Sequence, residues 1–368
     1  MKISILQTHL LSTLTNVGRI ISSRAQLPIL QNLLLETKGS VFIVAGTNTE
    51  TSIVSSNNAK IEKEGGVCVP AKLLIEFITS LPEGIVEMEV KQEALTIASG
   101  GFEATIPCVS KEEFPPLPKQ DKTKGAEISK ETFIQALESV LFAAASDEGR
   151  PILTGVKIQK ADTDTLFVAT DGYRLSLKRV SLSMDENVDI TIPARTLSEV
   201  VHIGLGNKED KKIALKKIDE AQLGFIVGAT EIYTRILDGE YPNFEKILPK
   251  KYITKTVLNK EKFLQAVKSA SIFARDNANI IKFIVADGEV TISANAPQVG
   301  QNKVTLEAEV DGEGGEISFN SRFVLDFLNH FSEEKLQFEM TGSLNPGSFK
   351  STTDDSYLHI IMPVRANS

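Results

Sequence analysis

The chain has 368 residues, 42% of them hydrophobic and 24% charged, and a net charge of −8. That length exceeds one ordinary core and points to two or three domains of a soluble globular protein. No apolar run approaches the ~20 residues of a bilayer span, two cysteines (Cys68 and Cys108) imply a reduced, cytoplasmic setting, and the acidic total argues against a simple nucleic-acid binder unless positive charge is segregated.

The first residues, Met1 to Ile5, alternate like a strand, and no signal-peptide pattern follows. Leu10, Leu11, Leu14, Val17 and Ile21 then form one apolar stripe and predict an amphipathic helix. Ile43-Val44-Ala45-Gly46 reads as a strand. A second helix opens after Pro70-Ala71, with Leu73, Leu74, Phe77 and Ile78 as its stripe.

The same order returns. At an offset of 123, Pro28-Ile29-Leu30 falls on Pro151-Ile152-Leu153, Thr47-Asn48 on Thr170-Asp171, Val69-Pro70-Ala71 on Ile192-Pro193-Ala194, and Gly101-Phe102 on Gly224-Phe225. The offset grows to 127 at Phe114-Pro115 and Tyr241-Pro242, which predicts a four-residue loop insertion. The second unit predicts a helix striped by Phe133, Ile134, Leu137, Val140 and Leu141, a strand at 166–169, and a helix striped by Leu197, Val200 and Val201. A fainter third copy aligns Lys262-Phe263-Leu264-Gln265-Ala266 with residues 132–136 and Ser321-Arg322 with Ala194-Arg195. Its stripes are Phe263, Leu264, Val267 and Ala270, then Val324, Leu325 and Leu328. Strands such as 231–234 and 358–361 close the units. Lys-rich runs at 119–125 and 249–251 read as linkers and give domains at 1–120, 126–249 and 252–368. Three like α+β units fit either a linear array or a closed ring.

No enzymatic constellation emerges. His9, His202, His330 and His359 lack metal-ligand spacing, and there is no C-x-x-C, G-x-S-x-G or Walker loop. Gly204-Leu205-Gly206 reads as a helix end, and Asp354-Asp355 as hairpin-turn chemistry. Lys211-Lys212 and Lys216-Lys217 flank a charged hairpin strand. The apolar tail Ile360-Ile361-Met362-Pro363-Val364-Arg365 reads either as a core-closing strand or as one wall of an exposed groove. Alternation would put Ile360, Met362 and Val364 on one face.

Four segments carry a resemblance to a known family. Ala169-Thr170-Asp171-Gly172-Tyr173-Arg174-Leu175, Gly239-Glu240-Tyr241-Pro242-Asn243-Phe244 with Leu248-Pro249, the tail Met362-Pro363-Val364-Arg365, and Arg24 with residues 27–33 resemble the signatures of bacterial β sliding clamps, the β subunit of the replicative DNA polymerase. The resemblance spans the whole chain in order. It implies an α+β fold of three repeated clamp domains, two helices on antiparallel sheets in each, closing into a six-domain ring as a head-to-tail homodimer. Such a ring holds double-stranded DNA topologically and without sequence preference, and has no catalytic residues, metal or cofactor. It tethers the replicative polymerase, the clamp loader and repair or translesion polymerases through short peptides.

Matched position by position, the partner groove would comprise Leu153, Thr170, Gly172, Tyr173, Arg174, Leu175, Pro242, Lys246, Ile247, Ile360, Met362, Pro363, Val364 and Arg365. The sequence departs from the family at Tyr173, where many members have His, and at Lys246, where many have Arg; Lys lacks the planar fork of Arg. DNA-facing candidates are Arg24, Arg150, Lys72, Arg195 and Arg322. The dimer seam would join Ile272-Phe273 to the stretch from Phe102 to Cys108. Two other classes compete: a nuclease or transferase on the same repeated domain, which metal-dependent turnover of DNA would reveal, and a scaffold array without DNA, which molecular mass in solution separates from a two-chain ring.

Overall fold

The computed structural model describes residues 1–118, 125–147, 149–182, 188–249, 251–296, 298 and 300–365. Most of the 119–125 linker run, and Lys250 of the second, lie outside the described residues. The chain divides into two compact units, one of residues 1–131 and 195–236, the other of 132–194 and 237–368.

Both units are built around a nine-stranded antiparallel sheet. In the first, five strands from the first sequence repeat continue into four from the second, and the seam is the pairing of Thr51–Asn58 with Thr230–Arg235. In the other, four strands of the second repeat continue into five of the third, joined where Arg174–Val180 pairs with Tyr357–Ile361. A five-stranded sheet completes the first unit and a four-stranded sheet the second. The compact units thus straddle the sequence repeats, because ladder hydrogen bonds continue a sheet regardless of which repeat supplied the next strand.

The six helices among the described residues are α1 (Gln7–Gly18), α2 (Ala71–Ser80), α3 (Lys130–Glu138), α4 (Ala194–Gly206), α5 (Lys260–Ala274) and α6 (Ser321–His330). Asn259 and Asn320 cap α5 and α6, each side chain accepting from a backbone N–H of the first turn at 3.0 Å. The helix α1 packs on α2, where Gly18 sits against the tip of the Ile75 side chain, which a Cβ there would displace. Most predicted stripes are buried, with three corrections. Leu73 is 49% exposed, one turn-position off the face that buries Leu74 and Ile78. Ile21 lies beyond the end of α1. Val140 and Leu141 lie beyond α3, where the chain tightens into a 3-10 turn at Leu141–Ala143, although Val140 is still buried. Gly206 ends α4, Asp354 and Asp355 lie between hairpin strands, and Lys212–Lys217 is a hairpin strand. No described helix is long and apolar enough to cross a membrane.

His359 is fully buried in the second unit, stacked on Phe327 with ring centroids 5.1 Å apart, and its Nδ1 shares a 2.6 Å hydrogen bond with the Ser176 hydroxyl. Burial, with the nearby positive charge of Arg174, holds its pKa well below the ordinary 6.5. The unfolded chain binds this proton near pH 6.5 and the folded chain only well below it. Stability is therefore full above that pH and declines as pH falls beneath it. Thermal melts at pH 7 and pH 5 should show a drop that His359→Gln reduces; an equal drop in both proteins would exclude His359 as its source.

Candidate functional site

The site grows from a turn and two strands. In the turn before Arg174–Val180, the Asp171 carboxylate accepts from the N–H groups of Tyr173 (2.9 Å) and Arg174 (3.0 Å). The Thr170 hydroxyl donates to the Arg174 carbonyl at 2.5 Å and accepts from the Gly172 N–H at 3.0 Å. Gly172 has φ of 90°, a conformation that glycine adopts without a Cβ penalty. The turn closes the hairpin in which Thr170 faces Leu175, and on the other edge of Arg174–Val180 Leu175 faces Ile360 and Leu177 faces Leu358.

Side chains alternate along these strands. One face gathers Leu153, Leu175 and Ile360, each about 1% exposed, with Leu166, Val168, Tyr241 and Phe244. Ile152, Leu177, Leu248 and Leu358 pack against this cluster and are only partly buried. Tyr241 is anchored by its hydroxyl, which donates to the Val168 carbonyl at 3.3 Å. The segments that build this floor also carry exposed side chains: Tyr173 at 62%, whose ring stacks on Phe323 of α6 at 6.4 Å, Ile247 at 40% and Met362 at 37%, with Pro242 and Lys246 also exposed. A depression of about 480 Å³ adjoins it, walled by residues 239–245 with Lys157, Gln159 and Asp189.

The opposite face of the same strands carries Arg174, which is 9% exposed. Its Nη1 lies 2.6 Å from Asp326 of α6 and its Nε 3.1 Å from Asp171. Its guanidinium lies 4.7 Å from the Phe323 ring centroid and 5.7 Å from that of Phe142. Arg174 was expected beside Leu175 in the groove, but a one-residue step in a strand reverses the face. It is an internal tie between strand and helix.

The tail also departs from expectation. The strand Tyr357–Ile361 ends before Met362. The Met362 N–H still reaches the Tyr173 carbonyl at 2.8 Å, but the Val364 N–H bonds to Ser318. Val364 and Arg365 line a different cleft, of about 1180 Å³, with Lys282, Glu316 and Leu344. The single alternating strand through residue 364 is therefore corrected. Pro363 is half-buried between these points.

Lys72, Arg195 and Arg322 are exposed at the second position of α2, α4 and α6 respectively. Lys72 has an i,i+4 partner, Glu76, at 4.0 Å. Arg24 is exposed in the loop after α1, and Arg150 donates to the Asp171 carbonyl at 3.4 Å. Arg150 thus abuts the groove turn, a contact that its DNA-facing reading did not anticipate. Ile272 is 54% exposed, whereas Phe273 packs partly on its own core. Phe102 is 51% exposed on the edge strand Phe102–Pro107, but Cys108 is buried. Burial, then the charge of Glu113, pushes the Cys68 thiol up to about 12, and burial followed by Glu93 raises Cys108. Both thiols are thus poor nucleophiles near neutral pH. Among the described residues, no group of His, Cys, Asp and Glu could hold a metal ion.

Leu177, Leu358, Tyr241 and Phe244 belong to the floor yet were absent from the expected set. Two-residue alternation from Leu175 and Ile360 was the available signal for the first pair.

Repeated α+β units joined by shared sheets, with an apolar floor at one seam, define a repeated-domain clamp. Family models of the DNA polymerase III beta subunit match in order: the N-terminal domain at residues 1–118, the central domain at 127–243 and the C-terminal domain at 245–365. The chain is 29% identical to the beta sliding clamp of Bacillus subtilis (strain 168), covering 99% of this chain and 100% of that one. It is 28% identical to that of Staphylococcus aureus (strain Mu50 / ATCC 700699), covering 99% of each. Among solved structures, the sliding clamp of Bacillus subtilis superposes with a TM-score of 0.93 at 27% identity, and the beta subunit of Thermotoga maritima with 0.93 at 25%, each over 100% of both chains. The Bartonella birtlesii clamp bound to griselimycin gives the same coverage, 0.93 and 25%. The chain belongs to the bacterial DNA polymerase III beta subunit family, the sliding clamps. It is a non-enzymatic processivity factor of DNA replication with DNA and polymerase as partners.

Arg174→Ala should cost about 2–3 kcal/mol in denaturant unfolding. That is below the roughly 3–5 kcal/mol of a fully buried pair, because Asp326 remains partly in water. Arg174→Lys should recover only part of it, since a point charge cannot serve Asp171, Asp326 and the Phe323 face together. A loss under about 0.5 kcal/mol, the usual range for surface changes, would show that the tie does not hold the seam.

Proposed function

We propose that short peptides of the replicative polymerase, the clamp loader and repair or translesion polymerases dock on the floor formed by Leu153, Leu175, Leu177, Leu358 and Ile360. The observation that carries this reading is an apolar cluster at the seam of two repeats, with exposed Ile247 just after Phe244 and exposed Met362 just after Ile361 on the segments that build it. Leu and Phe anchors gain about 1.5–3 kcal/mol each on burial, before ordering costs. Thr170, Gly172, Pro242, Lys246 and Pro363 frame the path, and the solved Bartonella birtlesii clamp, bound to griselimycin, supports a ligand-accepting surface on this fold.

The three clamp domains are proposed at 1–120, 126–249 and 252–368, and the assembly as a head-to-tail homodimer, a six-domain ring, in the cytoplasm and on the nucleoid during replication. Two sheet edges support the seam. Phe102–Pro107 ends the five-stranded sheet and Gly300–Glu307 ends the four-stranded one, each with an open ladder among the described residues. Exposed Phe102 and Ile272 would be buried by that pairing. For DNA, the favoured residues are Lys72, Arg195 and Arg322, the same helix position three times over. A cation at a helix N-terminus opposes the helix dipole by about 0.3–1 kcal/mol, so its recurrence favours an external anion such as phosphate. Arg24 is a further candidate. Phosphate contacts of this kind carry no sequence information, as sliding requires.

A peptide of the form Gln-Leu-x-Leu-Phe should bind with low- to sub-micromolar affinity, about −8 kcal/mol. Ile247→Ala with Met362→Ala should weaken it at least tenfold while leaving the thermal midpoint unchanged, because both side chains are exposed. Calorimetry giving equal affinities for the double variant and the parent would move the groove elsewhere.

A further inference from the structure

The groove has a twin in the first unit. Its turn repeats that of residues 170–175 bond for bond. The Thr47 hydroxyl donates to the Thr51 carbonyl at 3.1 Å and accepts from the Thr49 N–H at 3.2 Å. The Asn48 side-chain oxygen accepts from the N–H groups of Glu50 (3.1 Å) and Thr51 (2.8 Å), as Asp171 does from Tyr173 and Arg174. Thr49 has φ of 78° where Gly172 has 90°. The register matches too: Ser52 faces Tyr233 as Leu175 faces Ile360. The Arg235 N–H donates to the Glu50 carbonyl at 3.2 Å, as the Met362 N–H does to that of Tyr173. Beneath lies a matching apolar cluster of Leu34, Ala45, Val54, Cys68 and Phe114.

The backbone of a docking site is thus present twice in one chain, and only the side chains differ. The floor pair Leu175 and Ile360 becomes Ser52 and Tyr233. The Ser52 hydroxyl is spent on Thr47 at 2.9 Å, and an apolar anchor laid over it would strip its remaining hydration. Tyr233 is 5% exposed, its hydroxyl is held by Glu231, and its ring is bulkier than the Ile side chain at the matching position 360. The exposed Tyr173 and Met362 become Glu50 and Arg235, which keep the rim wet. What remains is a cavity of about 240 Å³ bordered by Thr47, Ser52, Pro115 and Tyr233.

We infer that Ser52 and Tyr233 are specificity-determining residues that close the first-unit twin to clamp-binding peptides, leaving one peptide site per chain. The inference rests on the groove assignment above. Specificity in a repeated fold needs such an element, because the repeat otherwise reproduces the site along with the scaffold.

The test is the calorimetric stoichiometry of the Gln-Leu-x-Leu-Phe peptide on the full-length chain. The unmodified protein should saturate at one peptide per chain, and Ser52→Leu with Tyr233→Ile at two. Tyr233→Ile alone serves if the double variant does not fold, and should give a second, weaker site. The reciprocal Ile360→Tyr should weaken the original site at least tenfold. Two peptides per chain in the unmodified protein, one per chain in a folded twin-site variant, or unchanged affinity in Ile360→Tyr would each overturn the inference. No peptide binding to the unmodified protein would instead overturn the groove assignment.

Discussion

Antiparallel pairing of Arg174–Val180 with Tyr357–Ile361 is the constraint on which the second unit and its site depend. It joins strands about 180 residues apart in sequence into one nine-stranded sheet. Because side chains alternate, that single ladder produces two surfaces. One carries Leu175, Leu177, Leu358 and Ile360 into the apolar floor. The other presents Arg174, Ser176 and His359 to α6 and its aromatic cluster. Apolar floor and aromatic core lie on two sides of one seam, so a register slip of one residue would destroy both.

Several polar contacts along the seam favour this register. Arg174 shares its guanidinium between Asp171 and Asp326, and His359 lies neutral against Ser176. At the outer end of the ladder, Lys178 lies 2.6 Å from Asp354. Burial opposes ionisation of that carboxyl, yet hydrogen bonds from Lys178 and Ser356 outweigh burial and hold its pKa down at about 2. Buried polar groups of this kind contribute little net stability but make misregistered pairings costly.

Much of this was legible in the sequence. The constant offset between Thr47-Asn48 and Thr170-Asp171 reflects a turn whose hydrogen bonds the structure repeats. The helices and the buried stripe residues followed from periodicity. What escaped was non-local. Arg174 entered the expected groove set through the family resemblance, and the sequence does not show its ties to Asp171 and to Asp326, 152 residues away. The tail was read as one strand because Ile360, Met362 and Val364 alternate; the ladder ends at Ile361, and the next backbone bonds go to Tyr173 and then Ser318. The early end of α3 had no sequence signal, since Val140 and Leu141 fit a helical stripe as well as the 3-10 turn they border.

The central claim is that this seam is the peptide-binding floor. A crystal structure of the chain with a bound Gln-Leu-x-Leu-Phe peptide tests it most directly. Leu and Phe side chains of the peptide should lie within about 4 Å of Leu175, Leu177 and Ile360, with Arg174 still paired to Asp326 on the far side of the sheet. A peptide found instead over the cleft of Lys282, Glu316 and Leu344, or one whose binding frees Arg174 to contact it, would contradict the account.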